Sequence, residues 1–305
     1  MRILYEGTDL AGWAEPVRCV HRDAAGGRAD CLDITFDRAD TWARWAPRAD
    51  DVIEAEDGGY RTGKCYVCAI RPEGNRFRIL AASTPQAARQ RGWACCEAGT
   101  LGELLHRTAT ECRMKEAFFG LDADLPLPFT IREDEGCAAF LARLLRREGA
   151  SLKCFDGRMN AVSLLWAQER APVRSFRLTA GEDTGIYTRR NGHAWSRLTV
   201  AAPACEASAT DTEAADENPR TIAGIGAQNE SQAGRWARGL LLSRNREAEE
   251  IELTTAFDPA LTALARITIT GDTAGNGDYL IDEAEHDLTD RTSRILCRRC
   301  VTTIR

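Results

Sequence analysis

The segment CAAFLARLLRREGASLKCFDGRMNAVSL, residues 137–164, changes its hydrophobic period once, and that change decides the fold. Cys137, Phe140, Leu141, Leu144 and Leu145 recur at helical spacing and predict an amphipathic helix over Glu135–Arg147. Gly149 stands where a helix needs a left-handed C-terminal residue. Ala150–Phe155 and Arg158–Leu164 then flank Asp156-Gly157, a two-residue hairpin signal. A helix running directly into a hairpin is a compact α/β unit.

Upstream, Thr100 and Glu103 have capping-box spacing, and Leu101, Leu104, Leu105, Thr108 and Cys112 share one helical face. Phe129-Thr130-Ile131 reads as a short strand between the two helices. Residues 86–170 therefore form a small α/β domain. Before it, residues 1–85 read as roughly six short strands: Leu32, Ile34 and Phe36 alternate with Cys31, Asp33 and Thr35, and Asp57-Gly58-Gly59 and Glu73-Gly74-Asn75 punctuate the rest. Such spacing suggests a small antiparallel barrel or sandwich. Beyond Pro172, Ser175–Thr179, Arg197–Val200, Arg266–Thr270, Tyr279–Ala284 and Arg294–Ile304 read as strands of a second β unit made of residues 171–200 and 250–305. Residues 201–249 read as a linker and helical insertion, with Ala201–Glu217 an aperiodic exposed loop and Ser231–Ser243 a helix. The expected class is α+β and β-rich: two small antiparallel barrel-like domains with an α/β domain between them.

The chain has 305 residues, 44% of them hydrophobic, and a formal net charge of −6 from 46 acidic and 40 basic side chains. An acidic balance argues against a general nucleic-acid binder, which carries a basic excess over phosphate. No apolar run approaches the ~20 residues that span a bilayer. Met1-Arg2-Ile3-Leu4-Tyr5-Glu6 lacks the basic-then-apolar layout of a signal peptide, so synthesis and retention in the cytoplasm are expected.

Twelve cysteines without a secretion signal read as reduced, packed thiols. Two pairs, Cys65-x-x-Cys68 and Cys297-x-x-Cys300, have the spacing of a four-thiolate zinc site. Both lie in strands, where residues three apart point to opposite faces, and neither pair encloses a Gly or Pro for the tight turn that chelation needs. Asp272 to Glu283 places Asn276, Gly277, Asp278 and Glu283 at calcium-loop offsets, but Ala274 supplies no ligand and the flanks read as strands; a hairpin tip is the simpler reading. Gly224-x-Gly226 has Asn229 in place of a third glycine and no clear strand before it, so it carries no dinucleotide site. The four histidines, His21, His106, His193 and His286, accompany no nucleophile elbow and no His-Glu-x-x-His. No catalytic, cofactor-binding or metal-binding residue is assigned.

A set of residues in order along the chain resembles the phage tail hub proteins of the late-control D family. The first are Trp45-Ala46-Pro47-Arg48-Ala49-Asp50-Asp51-Val52-Ile53, Gly58-Gly59, Thr62-Gly63 and Val67, followed by Ala81-Ala82-Ser83 and Gln86-Ala87. The segment from Thr100-Leu101 to Phe119-Gly120 follows. Phe140, Leu141, Leu144, Glu148, Gly149 and Ala150, with Lys153 and Asp156-Gly157, are the most recognisable. Gly271, Gly277, Tyr279 and His286 resemble the last hairpin, with Arg294–Ile304 its partner strand.

The resemblance implies a structural protein without catalysis: a homotrimeric baseplate hub at the tip of a contractile phage tail or phage-tail-like particle. Two tube domains per chain would give the ring pseudo-sixfold symmetry and join a hexameric tail tube to a trimeric spike. The implied partners are further copies of the chain, the tail tube protein, the spike, the baseplate wedge and tape-measure proteins. No cofactor, membrane or specific nucleic acid is implied, and an acidic lumen would let DNA pass without adhering. The competing readings are a cytosolic module stabilised by zinc on Cys65, Cys68, Cys297 and Cys300, and a tail-tip carbohydrate-cleaving enzyme built on two carboxylates.

Overall fold

The computed structural model describes residues 1–37, 46–178, 185–214, 217–271 and 274–305. Trp45, Thr179 and Asp272, all singled out in the sequence, lie outside the described residues.

The first β region comprises β1 (Arg2–Tyr5), β2 (Thr8–Asp9), β3 (Pro16–Ala24), β4 (Cys31–Asp37), β5 (Val52–Asp57), β6 (Tyr60–Arg61), β7 (Cys65–Glu73) and β8 (Arg76–Ala82). The alternation read in β4 is observed: Leu32, Ile34 and Phe36 are fully buried, and Phe36 stacks on its cross-strand partner Phe77 at 5.0 Å. On the outer face Asp33 is paired with Arg18 and Arg78.

The α/β region holds α1 (Gln86–Arg89), β9 (Gly92–Cys96), β10 (Gly99–Thr100), α2 (Leu101–Glu111), β11 (Lys115–Phe119), β12 (Pro126–Leu127), β13 (Thr130–Glu135), α3 (Cys137–Arg147), β14 (Ala150–Phe155), β15 (Arg158–Ser163) and α4 (Leu164–Glu169). Thr100 and Glu103 form the expected capping box on α2. The five-residue stripe of α3 is buried, and Gly149 ends the helix at φ +65°. Asp156 and Gly157 both have positive φ, 47° and 71°, which gives the β14–β15 hairpin a twist matching its strands.

The remainder supplies β16 (Arg174–Leu178), β17 (Gly185–Arg189), β18 (Arg197–Ala202), β19 (Cys205–Thr210), β20 (Pro219–Ala223), α5 (Glu230–Asn245), β21 (Glu249–Ala256), β22 (Arg266–Gly271), β23 (Gly277–Asp287) and β24 (Thr292–Arg299). A single sheet runs in the order β17-β21-β24-β23-β3-β4-β8-β7-β5-β1-β2, with β22 and β16 branching from β23 and β6 from β5. The antiparallel pair β23–β3, from Glu283↔Ala24 to Asp287↔Val20, joins the last β region to the first. Each side of that joint has its own apolar core, one around Leu32, Ile34 and Phe77 and the other around Ile251, Ile269 and Ile281.

Three expectations are corrected. Ala201–Glu217 is not a loop: it holds the end of β18 and all of β19, and with β20 these strands form a sheet under α5. Its inward residues are alanines, Ala207 and Ala209, whose small side chains let α5 approach but give little apolar signal. A strand, β20, does precede Gly224, but Asn229 is the N-cap of α5 and accepts from the Gln232 amide, so the helix start is closed by its own side chain. Leu164 ends no strand; Ser163 caps a six-residue helix there.

Candidate functional site

Where β3 meets β23, Lys153 of β14 bolts the α/β region to the first β region, and its partner Asp23 in turn holds the last β region. The Lys153 ammonium reaches the carboxylates of Asp23 and Asp30 and donates to the Ala24 carbonyl at 3.1 Å. Asp23 also accepts from the Ala263 amide at 3.1 Å, and Asp30 from the Ala24 amide at 3.0 Å. Chain segments 20–30, 150–155 and 261–265 thus converge on one buried cation. Burial pushes the Asp30 carboxyl up to about 7 in spite of Lys153. Burial pushes Asp23 the same way, but Lys153 outweighs it and holds Asp23 below the usual carboxylate value. Lys153 is destabilised by burial, yet the two carboxylates leave its pKa raised. Asp30 Oδ2 is buried without a hydrogen-bond partner.

Beside this junction His21 and His286 face each other across the strand pair. His21 Nδ1 lies 2.5 Å from the Tyr60 hydroxyl, and Tyr60 packs on the His286 ring at 4.8 Å. His286 Nε2 donates to the Leu261 carbonyl at 2.9 Å, so its Nδ1 accepts from the Ser293 hydroxyl at 2.8 Å. Burial drives His21 down to about 3 and His286 downward, which keeps both rings neutral.

A second anchor is Glu148, whose side chain is fully buried. Arg235 of α5 forks onto it at 2.5 and 3.2 Å, and Trp236 Nε1 donates at 2.7 Å. A third is Asp282 of β23, held by Arg246 at 2.8 Å and Arg298 at 3.0 Å. A polar cleft of about 460 Å³ borders this end of the molecule, and Arg190, Arg266 and Arg299 on its wall are paired with Glu250, Asp278 and Glu249. These charges hold segments together.

The other residues weighed in the sequence fall apart in space. Cys65 is buried in the first core and Cys297 in the last; Cys68 is exposed at a bulge of β7 and donates to the Leu80 carbonyl at 3.1 Å. Among the described residues no three His, Cys, Asp or Glu side chains are grouped to hold a metal. In the calcium-like segment, Asp278 is taken by Arg266 and Thr268, and Glu283 by Arg22 and Arg28. His106 pairs with Glu116 on the surface, and His193 lies against Arg244. The junction of Asp23, Asp30 and Lys153 was not assigned from sequence, because the carboxylates lie 130 and 123 residues from the lysine.

The surface carries large exposed apolar side chains: Trp13 and Trp93 at 70%, Ile186 at 66% and Phe129 at 53%. Ile186 lies on β17 at one end of the sheet path, and Trp13 follows β2 at the other.

No protein-family model and no curated protein sequence matches the chain. Solved structures do. A tail protein from Neisseria meningitidis MC58 superposes with a TM-score of 0.75 over 98% of this chain and 95% of that one, at 10% identity. The 43 kDa tail protein of prophage MuSo2 from Shewanella oneidensis gives 0.71 over 98% and 97%, at 14% identity. The E. coli c3393 protein, a type VI secretion component with structural similarity to bacteriophage T4 tail proteins gp27 and gp5, gives 0.60 over 99% and 77%, at 12% identity. The chain has the fold of phage tail and tail-like secretion proteins, and it is β-rich.

Proposed function

We propose that the protein is a structural hub of a contractile tail or related injection particle. Three copies close a ring that joins the tail tube to the spike. Residues 1–85 and residues 171–200 with 250–305 serve as the two tube units of each copy, residues 86–170 brace them from one side, and residues 201–249 form the insertion. Its partners are its own copies, the tube protein, the spike and neighbouring baseplate proteins. The particle forms from protein made in the bacterial cytoplasm, and no catalysis is involved.

The observation that carries this reading is the near-complete superposition on two tail proteins, 98% of the chain in each case. The chain's own chemistry supports it. Its buried charges are committed to joints between segments, while its sheet path ends in strands that, among the described residues, are paired on one side. Open edges are a liability in a monomer and an asset where copies join.

Light scattering coupled to size exclusion tests it, with negative-stain images of the same fractions. A mass of three chains and a ring are expected, either alone or after the tube and spike proteins are added. A strict monomer under both conditions, or a stable dimer, removes the hub reading. Peptidoglycan clearing by the purified protein would instead favour an enzyme of the tail tip.

A further inference from the structure

A second cleft, of about 400 Å³, opens where α3, the turn at Ala25–Arg28, the end of α5 and strands β23 and β24 come together. Ala139, Ala142, Leu164 and Leu264 give it apolar lining, and Arg146, Arg246 and Arg298 line it beside Glu247 and Asp282. The turn is fixed by the Gly26 amide, which donates to Ser151 Oγ at 2.8 Å, and the Gly27 amide, which donates to the Leu152 carbonyl at 3.3 Å. The charges at this cleft do not balance. Glu247 is shared by Arg146 at 3.3 Å, Arg298 at 3.4 Å and Arg244 at 3.5 Å, with the His193 ring at 3.6 Å. Asp282 is shared by Arg246 at 2.8 Å and Arg298 at 3.0 Å. Among the described residues these four guanidinium groups pair with no other carboxylate, so four cations face two anions, an excess of two positive charges. Acceptors are short as well: the Arg246 side chain is only 6% exposed, and Nε of Arg246 and Nε of Arg298 are buried with no hydrogen-bond partner. Buried donors left unmatched cost stability, and a ligand bringing both negative charge and acceptor oxygens would remove that cost. Arg28 and Arg143 also line the cleft but are already held by Glu283 and Glu135.

We propose that this cleft binds a phosphate group, free or as the phosphoryl end of a small organic phosphate, on Arg146, Arg246 and Arg298. Charge selects the class first: a phosphate monoester carries about −1.5 to −2 at neutral pH, which matches the excess, whereas a carboxylate carries a single charge. Geometry selects it again, because one phosphate offers several oxygens to planar guanidinium forks at once. The volume lies within the roughly 300–1,000 Å³ of small-molecule sites, so the alanine and leucine lining has room for an organic body beside the phosphate. The site does not depend on the proposed tail role.

The test is isothermal titration of the full-length protein with phenyl phosphate, orthophosphate and phenyl sulfate at neutral pH and matched ionic strength. Phenyl sulfate has the shape of phenyl phosphate with one negative charge fewer. One phenyl phosphate per chain is expected, with phenyl sulfate at least about tenfold weaker. Orthophosphate binding as tightly as phenyl phosphate assigns the site to free phosphate, and weaker binding assigns it to an organic phosphate. Arg146→Gln, at a half-exposed position, and Arg298→Gln are each expected to weaken phenyl phosphate about tenfold. Glu247→Gln is expected to tighten it several-fold, because a carboxylate that competes for the same guanidinium groups is gone; loss of fold cannot imitate that gain. Arg294→Gln, on β24 but paired with Glu252 outside the cleft, is expected to change nothing. No saturable heat from either phosphate at about 5 mM, phenyl sulfate bound as tightly as phenyl phosphate, or an affinity indifferent to both cleft arginines overturns the proposal.

Discussion

Gly239 of α5 lies against Gly149 at the end of α3 so closely that a Cβ on Gly239 would stand 2.2 Å from the Arg147 carbonyl oxygen and 2.3 Å from the Gly149 amide nitrogen. The contact brings the helices near enough for Glu148 to be gripped by Arg235 and Trp236. Gly239→Ala must push α5 away and strain that buried charge pair, with an expected loss of about 1–3 kcal/mol. Gly234→Ala, on the same helix, would meet only the Ala207 methyl at 3.6 Å and should be neutral or gain up to about 1 kcal/mol from helix propensity. Urea midpoints of the two variants decide it, and equal midpoints would show that the helices slide apart freely.

Leu144 sits in the middle of the α3 stripe and is 1% exposed. Leu144→Ala leaves a cavity walled by neighbours of the α/β core, and a loss of about 2–5 kcal/mol is expected in denaturant unfolding. Leu165→Ala, at an exposed position of α4, should stay within about 0.5 kcal/mol of wild type.

These two examples mark what the sequence could and could not disclose. The α3 stripe was legible because large side chains at helical spacing have one way to be buried, and the β14–β15 turn because Asp156-Gly157 tolerates positive φ. The sheet under α5 was hidden because its inward positions are alanines, and the short α4 and β17 because five or six residues establish no period. The β23–β3 joint and the Lys153 junction were beyond reach for another reason. Each depends on partners more than a hundred residues apart, and polar residues such as Asp23 and Asp30 read as solvated until three segments are seen to close over them.

Asp30 and His21 give stability pH dependences of opposite sign. The folded state keeps a proton on Asp30 up to about 7, whereas the unfolded chain releases it near the ordinary value of 3.8. Between those values the folded state binds more protons, so this group's contribution to stability falls as pH rises from about 4 to 7. His21 works the other way: the folded state refuses a proton until about 3, so its contribution falls as pH drops below 6.5. Asp30→Asn removes the first trend and keeps the second. Chemical denaturation at pH 5 and pH 7.5 is expected to show the variant gaining on wild type at the higher pH; a constant difference would mean that Asp30 is ionised throughout.

Cys65 and Cys297, one from each Cys-x-x-Cys pair, lie in different cores, which has a consequence for metal. Purified protein is expected to hold no stoichiometric zinc, and a chelator should leave its melting temperature unchanged. About one zinc per chain, lost together with the fold, would falsify this and restore the zinc-stabilised module.

The exposed edge offers the sharpest test of assembly. Ile186 is 66% exposed on β17, and within the chain that strand pairs with β21 alone among the described residues. An apolar residue held outward on an open edge costs little in a monomer but becomes favourable once another copy covers it. Ile186→Lys keeps the strand's hydrogen bonds to β21 and sets a cation opposite Glu252, its register partner, so the melting temperature should change by no more than a degree or two. Desolvating that lysine in a subunit interface would cost far more than the isoleucine it replaces. The expected result is a folded chain whose mass distribution moves from three copies toward one, read by light scattering at matched micromolar concentrations. A trimer undiminished in the variant would remove β17 from the interface and turn attention to Trp13 at the opposite end of the sheet.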